Sequence, residues 1–226
     1  MKAEPPAAPT DEELSTLAVF PLPRAVLFPG AVLPLHLFEP RYRAMMEDCV
    51  ASGSMVMAVA MLAPGWESDY EGRPPILPIA GVGRIGEHRR RSDGRWDLLL
   101  HGVMRPRLTE LPADGLPYRR ASAEPLADRI PHPDAVERLK PGVLATAASI
   151  TALVREMHPE LELGLEASMS ASELADRLAD RLVPEPEQRQ QILEAVDVKV
   201  RLALVSDAMI DLLAHLRARG AGGPLH

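Results

Sequence analysis

Three side chains able to hold a metal flank one turn: His88, Asp97 and His101 lie on either side of Asp93-Gly94. An Asp-Gly pair between alternating segments signals a two-residue type I′ hairpin. That turn would put His88, Arg90, Asp97 and His101 on one face, with Ile85, Trp96, Leu98 and Leu100 on the other. Two imidazoles and a carboxylate are a donor set that zinc accepts. The same residues on a solvated hairpin face need no metal, and no metal or other cofactor is assigned. Cys49 is the single cysteine, which excludes an internal disulfide and any multi-cysteine metal site. It falls on the apolar stripe of a helix, where a thiol behaves as a small hydrophobe rather than a nucleophile.

Gly81-Val-Gly-Arg-Ile-Gly86 spells G-x-G-x-x-G. The dinucleotide fingerprint opens a helix inside that motif, whereas here a strand continues into the hairpin. Lysine occurs three times, as Lys2, Lys140 and Lys199, and never after a glycine. A phosphate-binding P-loop is therefore excluded. Neither G-x-S-x-G nor H-E-x-x-H is present. No catalytic residue is assigned, and the chain is read as a non-enzyme.

Binding chemistry is easier to find. Met45, Met46, Met55, Met57 and Met61 crowd one short stretch, and the last three share a strand face. Flexible thioethers suit surfaces that accept many apolar side chains, and they equally fill irregular cores. Trp66 and Tyr70 sit in a Pro/Gly-bounded polar loop at 63–75. Such aromatics either anchor a partner or pin the loop to the body of the fold. Met55, Met57, Met61, Trp66 and Tyr70 are thus candidate contacts for unfolded or apolar polypeptide. The competing surface is the arginine-rich hairpin 84–107, with Arg89, Arg90 and Arg91 as candidate phosphate contacts for RNA. A formal net charge of −7 opposes nucleic acid as the default partner.

The elements that must position these residues follow from periodicity. Residues 1–14 are rich in Pro, Ala and acids and read as a disordered tail. Prolines at 21, 23, 29 and 34 restrict the next strands to short or edge positions. A helix is expected from Pro40 to Ser52, with Tyr42, Met45, Met46, Cys49 and Val50 as its apolar stripe and Gly53 after its end. Met55–Leu62 reads as a strand buried on both faces, and further strands follow near 77–91, 95–110 and 118–126. Beyond residue 130 the period turns helical. Capping boxes are expected at Asp134/Glu137 and Ser170/Glu173, with a break at Pro141-Gly142 and a helical seam running from Val198 to Leu216. The β-then-α order argues α+β with subdomains at 15–130 and 131–219 and a short tail at 220–226. The longest apolar run, 55–63, is half a membrane span. The acidic, proline-rich start lacks a signal-peptide core, so a cytoplasmic location without membrane contact is expected.

Several stretches together resemble one family. Phe20-Pro-Leu-Pro23, Val26-Leu-Phe-Pro-Gly30, Pro34-Leu-His-Leu-Phe-Glu39 and Arg41-Tyr42 are similar to the opening of the Lon protease N-terminal substrate-binding domain. Residues 93–105 (DGRWDLLLHGVMR) resemble that family's hairpin, and residues 189–202 (RQQILEAVDVKVRL) its late helical pattern, with 173–182 similar to the helix before it. The resemblance implies a β-rich PUA-like pseudo-barrel followed by a helical bundle. It also implies a stand-alone substrate-recognition module without ATPase or peptidase domains, working as adaptor or holdase with a protease or chaperone. Within that pattern Phe20, Leu27, Phe28, Leu35, Leu37 and Phe38 are expected in the core, and Glu39, Arg41 and Arg201 in internal ion pairs.

Overall fold

Short strands rich in alanine and valine can wrap tightly, and this sequence uses that freedom. The computed structural model describes residues 6–70, 72–155, 158–160 and 162–221. The protein divides into two compact units between Leu126 and Ala127. The division falls slightly before residue 130 because Asp128 and Arg129 are tied into the second unit. The Arg129 N–H donates to Val196 O (2.9 Å), and the Val198 N–H donates to Arg129 O (3.0 Å). Among the described residues no helix is long and apolar enough to cross a membrane.

The first unit carries α1 (Asp11–Ser15), β1 (Leu17–Leu22), β2 (Val32–Leu37), α2 (Pro40–Ser52), β3 (Val56–Met61), β4 (Gly81–Arg90), β5 (Trp96–Met104), β6 (Pro106–Glu110) and β7 (Arg119–Pro125). The sheet order is β2-β5-β4-β3-β1-β7-β6. β1 and β3 are parallel, and the other pairs are antiparallel. Residues 76–80 close the ring. Leu62 bridges Ile76 on the β3 side, while Ile79 bridges Arg107 on the β6 side. Backbone bonds from Leu77 N–H to Met61 O and from Leu108 N–H to Pro78 O, at 2.8 and 2.7 Å, lock both seams. Inside lie Leu17, Val19, Val56, Ala58, Ala60, Ala80, Val82, Leu108 and Ala121, capped by Leu14. That interior is filled by its own buried side chains.

Two glycines of the sequence motifs serve close approach. A Cβ on Gly81 or on Gly102 would stand 2.0 Å from the carbonyl oxygen of Leu27 or Phe28. Only glycine lets the Val26–Gly30 segment lie against β4 and β5. The G-x-G-x-x-G stretch is thus a packing device in a strand.

Several expectations are corrected. Residues 11–15 are helical rather than part of a tail. Thr10 and Glu13 form a reciprocal capping box (3.2 and 2.8 Å), and Leu14 is buried. The start of the expected tail, residues 1–5, lies outside the described residues. Phe38 is 58% exposed instead of core, because the alternation on β2 leaves only Leu37 buried at that end of the strand. The hairpin turn is one residue longer than type I′. The Arg91 N–H donates to Arg95 O (2.8 Å), the Gly94 N–H donates to Arg91 O (3.0 Å), and Gly94 takes φ +82°. This is a three-residue loop ending in a left-handed glycine. Arg90 therefore faces Trp96 and His88 faces Leu98, with a bulge between Ile85 and His88.

The second unit is a bundle of α3 (Pro133–Val154), α4 (Ala171–Leu182), α5 (Pro186–Glu194) and α6 (Val198–Ala221). Ser170 and Glu173 cap α4 reciprocally, as their spacing predicts. The expected box at Asp134 is absent, since His132 occupies the N-cap position and Pro133 starts the helix. Pro141 does not break α3. Val136 on one side of it and Val143, Ala147 and Ile150 on the other are all buried, so packing outweighs the lost hydrogen bond. Of the long seam, Val198, Leu202, Val205 and Met209 are buried. α6 continues through Ala221, and the rest of the expected tail lies outside the described residues. Arg201, 0% exposed, is held by Asp128, by Asp176 (3.5 Å), by the Ser172 hydroxyl (2.7 Å) and by the Ala195 carbonyl (2.8 Å).

Removing Arg201 takes away the cation that pairs with the buried Asp176 at 3.5 Å, so Arg201→Ala should cost the second unit about 3 kcal/mol in urea unfolding. A loss below about 1 kcal/mol would show that the network is not required. Acid should unfold the protein in a defined window. Hydrogen bonds from Arg91 and then from His36 hold the Asp97 carboxyl well below the usual carboxylate range. Those from Ser170 lower Glu173. A depressed folded pKa stabilises above the unfolded value and is lost as pH falls, so the melting temperature should be level above pH ~5 and fall below pH ~4. Asp97→Asn and Glu173→Gln together should flatten that fall.

Candidate functional site

The parallel pair β1 and β3 points both C-terminal ends to one end of the barrel, where the loop 63–75 leaves β3. Gly65 opens a single 3₁₀ turn, Trp66–Asp69, and Tyr70 follows it. Trp66 and Tyr70 meet edge to face with centroids 5.6 Å apart, and both are half-buried. Their anchor is polar. The Tyr70 hydroxyl donates to Glu39 Oε1 (3.0 Å), and Arg41 Nε donates to Glu39 Oε2 (2.9 Å). The Arg41 guanidinium also lies 4.7 Å from the Tyr42 ring centre and 5.4 Å from that of Tyr70. Tyr42 is buried, with its ring against Phe20 (4.5 Å).

The barrel wall adds three more charges at this end. Glu110 closes β6 and Arg119 opens β7, and both fall on the face that carries Leu108 and Ala121 into the interior. Arg119 Nη1 donates to Glu110 Oε2 at 3.5 Å, and Arg73 of the loop reaches the same oxygen at 3.7 Å. Burial sets the electrostatics here. It pushes the Tyr42 phenol up to about 12, and it also raises Tyr70, helped by the bond to Glu39. Burial lowers Arg119, assisted by the neighbouring Arg73 and Arg41 and resisted by Glu110. Arg41 goes the other way, because Glu39 and the phenol oxygens outweigh its partial burial.

The sequence candidates separate sharply. Trp66 and Tyr70 are accessible and adjacent. Met57 and Met61 are not a binding face: both are buried in β3, Met57 completely, because that strand is covered on both sides. Met55 is half-buried just before β3. Glu39 and Arg41 form their expected ion pair (2.8 Å), but at the barrel end rather than in the core. Arg73, Glu110 and Arg119 were not among the sequence candidates, since single charges at strand ends carry no motif.

The other sites lose their chemistry. The one-residue shift of the hairpin turns His88 toward Trp96, 6.0 Å between ring centres, and away from Asp97. Among the described residues no three His, Cys, Asp or Glu side chains are grouped to hold a metal ion. Arg89 and Arg91 both pair with Asp97 (3.4 and 2.7 Å), and Arg90 pairs with Glu47 (2.8 Å). The arginines proposed for phosphate already face carboxylates of their own hairpin and of α2.

The family model of the ATP-dependent protease La (LON) substrate-binding domain matches residues 16–211. A Lon protease of Anaeromyxobacter dehalogenans is 27% identical over 214 residues, 91% of this chain and 24% of that protein. A Lon protease of Paraburkholderia phytofirmans is 30% identical over 202 residues, 89% and 25%. The protein thus spans about a quarter of the length of these relatives. Among solved structures, a Lon N-terminal domain protein from Xanthomonas campestris shares 25% identity with a TM-score of 0.55, covering 88% of this chain and 98% of that one. The N-terminal domain of the Mycobacterium avium complex Lon protease shares 19% identity and the fold, with a TM-score of 0.65 over 87% and 99%.

Cys49 gives a direct check on the burial of its thiol in α2. Burial, with Asp48 beside it, pushes the thiol up to about 11. Thiolate is then scarce at neutral pH. Native protein should label with maleimide far more slowly at pH 7 than urea-unfolded protein. Equal rates would contradict the buried position.

Proposed function

Because the chain belongs to the substrate-binding domain family of the ATP-dependent protease La (Lon), we propose that its first unit captures unfolded or apolar polypeptide, acting as an adaptor or holdase with no chemistry of its own. The observation that carries this reading is the Trp66–Tyr70 pair. These aromatics are half-buried, stand on a polar loop, and are fixed through Glu39 rather than sunk in the barrel. Rigid aromatic anchors with a polar handle are the side chains that dominate protein-binding energy. Phe38, 58% exposed and stacked on His36 at 6.2 Å, is a further exposed aromatic of this unit. The arginine hairpin supports RNA less well, since Asp97 and Glu47 already compensate its tip.

Binding of a fluorescently labelled, permanently unfolded polypeptide tests the proposal. Trp66→Ala with Tyr70→Ala should weaken binding by about tenfold or more while leaving the melting temperature nearly unchanged. Raising salt from ~50 to ~200 mM should change affinity less than ~3-fold, because screening leaves buried apolar contacts intact. Replacing Arg89, Arg90 and Arg91 by Ser should leave polypeptide binding as it was. Undiminished binding by the aromatic double variant, or a tenfold loss with salt, would overturn the proposal.

A further inference from the structure

We propose that the polar end of the barrel is a carboxylate site, in which Arg119, Arg73 and Arg41 receive a carboxylate of the bound polypeptide while Trp66 and Tyr70 take the apolar residue beside it. That carboxylate is either the free C-terminus of the bound polypeptide or one of its Asp or Glu side chains. This inference rests on the first unit binding polypeptide and adds what that polypeptide must carry.

Arg119 is the central observation. It is 7% exposed, yet its hydrogen bonding amounts to one contact with Glu110 at 3.5 Å. A guanidinium has five N–H donors, and charge-assisted bonds normally close to about 2.7–2.9 Å. The same Glu110 oxygen also serves Arg73, at 3.7 Å. One carboxylate oxygen is thus shared by two guanidiniums, both at long range. Arg41 stands close enough to add to the repulsion on Arg119. Among the described residues of the cluster, three guanidiniums face two carboxylates, and Glu39 is already committed to Arg41 and Tyr70.

Arg201 in the same protein shows how a structural buried arginine is satisfied. It has two carboxylates, a hydroxyl and a backbone carbonyl as partners, with its three hydrogen bonds to carboxylate, hydroxyl and carbonyl all short. Arg119 lacks that completion and stands at the barrel end instead of in a bundle core. The remaining Arg119 donors are not sealed from solvent, so an anion can reach them and relieve the shared, distant contact. The N-terminus of α2 favours the same sign. Arg41 and Tyr42 belong to its first turn, no acidic residue lies in that turn, and the Glu39 side chain does not cap it. Two resident glutamates disfavour a doubly charged phosphate, and the aromatic pair matches an amino-acid side chain next to the carboxylate.

Labelled peptides ending in an apolar residue test this on the 226-residue protein, in three forms: free C-terminal acid, C-terminal amide, and amide with Glu before the last residue. The free acid should bind about tenfold tighter than the simple amide. If the Glu-bearing amide recovers the affinity, side chains are accepted as well; if it stays weak, the site reads polypeptide ends. Arg73→Gln should remove most of the acid–amide difference, and so should Arg119→Gln if it folds. Glu110→Gln, which frees both arginines, should tighten the acid and leave the amide unchanged, a result that a purely structural ion pair would not give. Equal binding of all three forms, each weakened by Trp66→Ala with Tyr70→Ala, would overturn the carboxylate site and leave the polypeptide reading intact. Displacement of the acid peptide by phosphate in preference to acetate would also overturn it. No binding of any peptide or of unfolded protein would remove both proposals together.

Discussion

The closed, narrow interior of the barrel is the constraint from which the first unit follows. Ala58, Ala60, Ala80 and Ala121 belong to the buried cluster inside it, and their small side chains let the strands approach closely. Residues 76–80 serve two seams at once, one to β3 and one to β6, and without them the sheet would have a free edge at β6. A packed interior forces polar function to the rim. At one end Arg84 fastens the N-terminal segment, with bonds to Ala7 O (3.0 Å), Ala8 O (3.3 Å) and the Glu13 carboxylate. At the other, where β1 and β3 finish, the loop 63–75 and the N-terminus of α2 gather the aromatic and charged side chains.

Glu39 ties this second end together. It ends the approach to α2, its carbonyl accepts the first helical N–H groups, and its carboxylate splits between Arg41 and the Tyr70 hydroxyl. The loop is thereby fastened to a rigid helix start, and Arg73 adds a second tie through Glu110. That is a sound way to present an aromatic without burying it. The arrangement also explains why the loop can be polar throughout and still hold Trp66 in place.

Element order, the α2 stripe from Tyr42 to Cys49 and its Pro40–Gly53 limits, the doubly buried β3 and the α4 capping box were legible because each rests on local periodicity or a local hydrogen bond, whereas Val50, expected on that stripe, is exposed. The failures have physical causes of other kinds. The Thr10–Glu13 box was present in the sequence but hidden in a proline-rich context that pointed to disorder. The Asp93-Gly94 turn was correctly located, yet a single added residue with left-handed Gly94 reversed the faces of His88 and Arg90, as a period of two requires. Pro141 followed the rule for isolated helices, and burial on both sides of it prevailed. Met57 and Met61 lie on the strand already read as buried on both faces, and the structure places them in the core rather than in a groove. Arg119 had no sequence signal, because its character comes from what the fold puts around it.

That last residue separates two uses of buried arginine in one protein. In the helical bundle, Arg201 completes its donors inside the protein, so its cost is met at folding and nothing further is asked of it. At the barrel end, Arg119 is nearly as buried but shares a single distant oxygen with Arg73, while Tyr70 lies against Arg41 with Trp66 packed on it, both rings half-buried. Structural networks tend toward completion, since an unmade bond in a desolvated place costs more than a made one contributes. A cluster that stops short, on a family fold whose relatives carry it as a substrate-binding domain, keeps its remaining donors for something that arrives. Its chemistry then follows from what is already there: one negative charge, planar enough for a guanidinium fork, with a hydrophobic neighbour.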